Sequence, residues 1–304
     1  MARSSSHLVA IGYALAGFTS WMICDACIKH AGQAGIPVHQ IVALLSMVTV
    51  LVVVVVAWKR GRLQALRPCR VKAEIIRSLV QVGLAVASVV MFTHLPLMTA
   101  YAGVFTAPMV ISLLAFVFLG ERLHRNQVLA IFAGFMGVLI ALGRFWDSSQ
   151  NLPGIGYLAM LVDVLFFSIS MLLVRVMSRS ETDESMVVFP ALVRIAVFMP
   201  FCFWHSVPMT WEQVAWLVGG GGIATLGWLA MNMAYRRAPA ATVAPMHYSQ
   251  ILTGAAVGYV VWGDVPSWNL ILGIGIIVAA GLFLARHASR PVAAAVEGPS
   301  TELF

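Results

Sequence analysis

Ten apolar runs, each 17 to 25 residues long, fill the sequence almost end to end: residues 8–30, 38–58, 74–94, 97–119, 127–143, 154–177, 185–204, 211–235, 240–262 and 267–286. A helix rises ~1.5 Å per residue, so ~20 residues cross a hydrocarbon core of ~30 Å. In hydrocarbon only helices and closed barrels satisfy the backbone. The runs lack the two-residue alternation of barrel strands, so each is predicted to be a helix. The predicted fold is an all-α integral membrane protein of ten transmembrane helices. Composition agrees: 61% of the 304 residues are apolar and 10% are charged, against ~45–50% and ~25% in a soluble domain. No length remains for a second, soluble domain. The same numbers exclude collagen, a disordered chain and a disulfide-stapled secreted fold. No G-x-x-x-x-G-K-[ST] phosphate loop occurs, which speaks against an ATP-driven pump.

The formal charge is +7, from 19 Lys and Arg against 12 Asp and Glu. In a soluble protein that excess would point to nucleic acid. Here it reads as topology, and no nucleic-acid partner is expected. With ten spans, sixteen of the basic residues fall in loops on one side, the largest group being Lys59, Arg60, Arg62, Arg67, Arg70, Lys72 and Arg77. Lys29 and Arg144 fall on the other side, and Arg194 lies within the seventh run. The positive-inside rule then places both termini in the cytoplasm, with the chain spanning a bacterial inner membrane several times. The run 8–30 is longer than a signal-peptide core, so it reads as a retained first span. Cys24-x-x-Cys27, with Asp25 and His30 nearby, shows no framework spacing and no ordered set of four ligands. No metal and no cofactor is expected.

Shifting the chain by 143 residues aligns Pro96 with Pro239, Thr99 with Thr242, Gly120 with Gly263, Glu121 with Asp264 and Asn126 with Asn269. Five matches at one ungapped offset argue for duplicated halves. Each half holds five helices, so the matching acidic turns fall on opposite sides of the membrane. Such inverted repeats mark secondary transporters. The expected organisation is a cytoplasmic N-terminus at 1–7, a first five-helix repeat at 8–143, an inverted second repeat at 154–286 and a disordered cytoplasmic tail at 287–304.

The run Leu95-Pro96-Leu97-Met98-Thr99-Ala100, then Ala107-Pro108, then Phe118-Leu119-Gly120-Glu121-Arg122 resembles the drug/metabolite transporter superfamily, EamA type. Ala238-Pro239-Ala240-Ala241-Thr242 and Trp262-Gly263-Asp264 form a looser second copy. The sequence departs from the family pattern at Asp264, where Glu is commoner, and at Ile251, which aligns with Pro108. The resemblance implies ten helices in two inverted halves around a pocket lined by helices 1, 3, 4, 6, 8 and 9. It also implies transport of amino acids or related metabolites without ATP.

Polar groups at mid-depth are costly in a bilayer and mark function by default. Asp163 lies nine residues into the sixth run and Arg194 ten residues from the outer end of the seventh, so their depths match. The expectation is an ion pair, either structural or part of the site. Pro108 interrupts the fourth run. Pro245, six residues before the position that aligns with Pro108, interrupts the ninth, and proline-interrupted helices in both halves point to a binding site. A plain packing kink is the alternative. The candidate pocket residues are Ser20, Trp21, Tyr101, Thr106, Pro108, Asp163, Trp228, His247, Tyr248 and Gln250. Ser88 and Gln81 in the third run are further polar positions. Asp25 and Lys29 have the favourable helical spacing for a pair, read as a solvated outer rim. Gly254-x-x-x-Gly258 and Ala130-x-x-x-Gly134 allow close helix approach. Gly219–Gly222 reads either as a hinge or as a loosely wound helix end.

These features favour a secondary transporter acting as a monomer on a small-molecule substrate within the lipid bilayer. Export of amino acids, neutral and aromatic ones favoured, is the expected function. Uptake or drug efflux on the same fold is the alternative. A membrane enzyme would need clustered His or carboxylates and a channel would need polar rings, so an enzyme is not expected.

Overall fold

A computed structural model describes residues 2–119, 125–141, 154–177, 180–237, 246–247 and 249–287. Among these residues the regular structure is helical. The helices are α1 (Ala2–Gln33), α2 (Val38–Lys59), α3 (Val71–His94), α4 (Leu97–Val104), α5 (Ala107–Leu119), α6 (Arg125–Ala141), α7 (Gly154–Met177), α8 (Asp183–Trp204), α9 (Trp211–Arg237), α10 (Ser249–Trp262) and α11 (Trp268–His287). A one-turn 3₁₀ helix, Leu63–Leu66, lies between α2 and α3. Seven spans are long and apolar enough to cross a membrane, and Leu97–Phe118 is one of them. Its two parts, α4 and α5, are one membrane crossing broken at Phe105–Thr106. Two shorter apolar helices, Val128–Ala141 and Trp268–Phe283, together with α10, complete ten crossings. The first half of the ninth run, with Pro239, Thr242 and Pro245, lies outside the described residues. So do Glu121, Tyr248 and the tail from residue 288.

Local chemistry sets the helix ends. Pro96 closes off α3 and opens α4, because proline cannot donate to the preceding turn; its φ of −55° suits a helix start. Thr182 caps α8 by accepting from the Ser185 N–H at 3.1 Å, and Asp183 and Glu184 sit favourably in that helix's first turn. Helix α9 runs unbroken through Gly219–Gly222, so the helix is not loosely wound there. Gly220 and Gly221 lie close against neighbouring helices, Gly221 against Leu45 and Val48 of α2. A Cβ on Gly220 would lie 2.8 Å from the Cys27 sulfur.

Packing follows the duplication. Exchanging halves maps α1 to α7, α2 to α8, α3 to α9, the α4–α5 span to the α10 span, and α6 to α11. The α1–α9 contact then maps onto α7–α3, α2–α9 onto α8–α3, and α1–α10 onto α7–α5, and all of these are made. The contacts α2–α8 and α6–α11 map onto themselves. The closest approaches use glycine. A Cβ on Gly17 would stand 2.9 Å from the Gly227 carbonyl, and one on Gly137 the same distance from that of Gly273. Without side chains, backbones come near enough to replace a hydrophobic drive that lipid does not supply. The expected glycines act differently: Gly254 makes room for the Tyr101 ring, and Gly134 for Met109.

The basic face of the bundle holds the ends of α2, α7 and α9; the far face holds the ends of α1, α3 and α8. Each face has a clamp between halves. On the far face Gln40 donates to the Val207 carbonyl and accepts from its N–H, both at 3.0 Å. On the basic face the Glu181 carboxylate accepts from the N–H groups of Cys69 and Arg70, and Thr182 donates to Ala65 O. Beneath that clamp Glu74, fully buried, pairs with buried Arg77 at 3.3 Å, and Arg77 also donates to Met186 O at 2.7 Å.

Candidate functional site

The break between α4 and α5 places the site. Pro108 has no N–H for the Val104 carbonyl, and the Thr106 N–H turns to Gly103 O at 2.9 Å. The Thr106 hydroxyl also donates to Gly103 O, at 2.6 Å. Thr106 is therefore engaged with its own chain, and half-buried Pro108 supplies the break. The turn leaves Tyr101 and Phe105 on one face of the span, four residues apart. Their rings lie 6.1 Å apart, and Phe92 of α3 meets Tyr101 edge-on at 5.8 Å.

His247, just before α10, joins this group. Its ring stacks on Phe18 of α1 at 4.6 Å and meets Phe105 edge-on at 4.9 Å. Trp21 packs edge-to-face on Phe18 at 5.7 Å. Buried Gln250 donates to the Phe18 carbonyl at 3.0 Å. Trp21, Tyr101, His247 and Gln250 thus converge where α1, α4 and the ninth span cross. The aromatics Phe18, Phe92 and Phe105 complete that cluster and were absent from the sequence candidates. The signal for Phe105 was its four-residue spacing from Tyr101. One candidate falls elsewhere. Ser20 turns its hydroxyl back onto Ala16 O at 2.6 Å, and its Cβ lies 2.5 Å from where a Gly227 side chain would begin, at the α1–α9 seam. Trp228 is half-buried on α9.

The charged groups correct the expected pairings. Asp163 is 4% exposed and accepts from Ser88 Oγ on α3. Arg194 donates from Nε to Ser46 Oγ at 3.0 Å and from Nη1 to Gln81 Oε1 at 2.9 Å. Asp163 and Arg194 form no ion pair among the described residues. Ser88 and Gln81, which hold them, are seven residues apart on α3, ~10 Å along the axis. Depth counting also ignored direction around the bundle: α8 packs on α2 and α3, and α3 separates it from α7.

Asp25 and Lys29 likewise take other partners. Half-buried Asp25 accepts from the Tyr101 hydroxyl at 2.8 Å. Lys29 is no solvated rim residue; it is 2% exposed and pairs with Asp264 at 3.0 Å. Its ammonium also lies 4.5 Å above the Trp262 ring, a cation–π contact. The Trp262 indole N–H donates to Gln33 Oε1 at 2.7 Å. Asp264, singled out in the sequence as a repeat marker, thus ties α1 to the end of α10 at the far face. Among the described residues no group of three or more His, Cys, Asp or Glu could hold a metal.

Known proteins share this plan. The model of the EamA-like transporter family matches residues 8–143 and again residues 154–286. The pseudopaline exporter of Pseudomonas aeruginosa is 26% identical over 274 residues, 90% of this chain and 94% of that protein. A riboflavin transporter of Vibrio cholerae is 25% identical over 280 residues, 89% of this chain and 91% of its own length. A solved crystal structure superposes with a TM-score of 0.63 at 20% identity, covering 92% of this chain and 99% of that one. At that identity the likeness concerns the fold alone.

Proposed function

The chain belongs to the EamA-like transporter family, and on that premise we propose that this carrier of small metabolites exports amino acids or related compounds, neutral and aromatic ones favoured. The carrying observation is the aromatic group at the broken crossing: His247 between Phe18 and Phe105, beside a carboxylate, Asp25, held by Tyr101. Ring faces and one acid suit an aromatic body with an ammonium group. Phosphorylated solutes call for clustered Lys or Arg, and Arg194 is a single cation. The basic face is read as cytoplasmic, from the positive-inside bias, in a bacterial inner membrane. The repeats 8–143 and 154–286 are read as the two halves that move against each other.

Proteoliposomes loaded with labelled phenylalanine, threonine, riboflavin or a sugar phosphate test this reading by counterflow. Phenylalanine and threonine should exchange and the sugar phosphate should not. Exchange of the sugar phosphate alone would overturn the proposal. Exchange of riboflavin alone would favour a flavin carrier, a reading supported by the relatives named riboflavin transporters and by the stacked rings.

A further inference from the structure

We propose that Arg194 is the residue that binds the carboxylate of the transported solute. The inference rests on the transporter reading above and narrows its substrates to solutes bearing a carboxylate.

A guanidinium keeps its charge under all ordinary conditions, and a charge at mid-membrane is costly unless something compensates it. The buried cations Lys29 and Arg77 have counterions, Asp264 and Glu74, whereas half-buried Arg194 has none among the described residues. Ser46 and Gln81 offer it neutral oxygens, which orient a guanidinium without balancing its charge. The holders are rigid. Ser46 is 1% exposed, and Gln81 is fixed by donating its own Nε2 to buried Ser170 on α7 at 3.1 Å. Three helices thus aim one side chain. Its Nε and Nη1 are used, while Nη2 has no partner among the described residues. A carboxylate bound at Nη2, sharing the second hydrogen of Nη1, completes a forked geometry and supplies the missing counter-charge. Asp163 and Asp25 accept from hydroxyls, and among the described residues neither forms an ion pair with Arg194.

The test uses the full-length protein in detergent, with thermal stabilisation by three probes of one skeleton: 3-phenylpropionate, phenethylamine and phenylalanine. A ligand bound only to the folded state raises the melting temperature. The two carboxylates should stabilise wild type, and Arg194→Gln should weaken both by about tenfold or more in Kd while leaving phenethylamine unchanged. Gln81→Glu is the second variant. It gives Arg194 an internal counterion, so the protein should melt higher yet lose 3-phenylpropionate binding. A purely structural arginine would give the higher melting without that loss. Should Arg194→Gln fail to fold, Gln81→Glu decides alone. Undiminished 3-phenylpropionate binding in either folded variant, or none in wild type, overturns the proposal. If wild type binds 3-phenylpropionate through Arg194 yet exchanges no amino acid in liposomes, the carboxylate site stands and the amino-acid reading falls.

Discussion

The two halves repeat each other's helix order and most of each other's packing, yet not every contact: among the described residues α2 packs on α3 with no comparable contact of α8 on α9, and the largest difference lies at α1. Helix α1 packs against α3, while the corresponding α7 and α9 make no comparable contact. At the far end of α1 there is no room to spare. A Cβ on Gly32 would lie 1.9 Å from the Thr93 hydroxyl, and the Lys29–Asp264 pair fastens the same end to α10. The lesson is that identical topology does not impose identical packing. The far face is drawn together by a glycine contact and a charge, and the basic face by Glu181, Thr182 and the Glu74–Arg77 pair, which join α8 to the start of α3 and leave α7 and α9 apart.

The largest expected effect lies on the basic face. Glu74→Ala leaves the Arg77 guanidinium buried without its acid, a loss of ~3–5 kcal/mol, read as a large fall in melting temperature in detergent. A small shift would mean that water or lipid headgroups already neutralise Arg77. The far-face glycine contact comes next. Gly32→Val should cost ~1–3 kcal/mol by overpacking and push α1 from α3, so that a cysteine at Thr93 reacts faster with a membrane-impermeant thiol reagent. Unchanged reactivity would show that this contact does not close the face. Asp264→Asn leaves the Lys29 ammonium, 2% exposed, without its acid, but the partner is itself 28% exposed and the Trp262 ring stays beside Lys29, so the stability cost should be no larger, ~1–3 kcal/mol. It should raise the same cysteine's reactivity, and adding Lys29→Met should do no further harm. Least of all, Ser20→Ala should leave melting temperature and transport unchanged, because that hydroxyl only back-bonds to its own helix. A transport defect there would return Ser20 to the substrate path.

Much of the fold was legible because the bilayer imposes a length on every crossing, and the apolar runs match it. Pro108 announced the broken fourth span for the same reason: a missing N–H has a fixed consequence. The candidate site was legible in part: Trp21, Tyr101, His247 and Gln250 stood out at the broken or polar middles of their runs, whereas Phe105, four residues from Tyr101, was passed over. It was not legible where partners came from different helices. Asp163 and Arg194 agree in depth by counting along their runs, but in the bundle they are held seven residues apart on α3, and nothing in one sequence fixes how a helix is shifted or rotated against its neighbours. Lys29 looked committed to Asp25 because the helical spacing allows it. The partner it takes lies 235 residues away, and only the packed bundle shows that.

The glycine contacts between Gly17 and Gly227 and between Gly137 and Gly273 have a consequence for biosynthesis. Both join a helix made early to one made late, as do the α2–α8 and α3–α7 contacts. At ~5–20 residues per second, the first five helices wait roughly ten to thirty seconds in the membrane before their partners are inserted. During that time their polar faces, with Ser46, Gln81 and Ser88, have only lipid or the insertion machinery beside them. Assembly of this carrier therefore depends on how soon its second half is inserted beside its first.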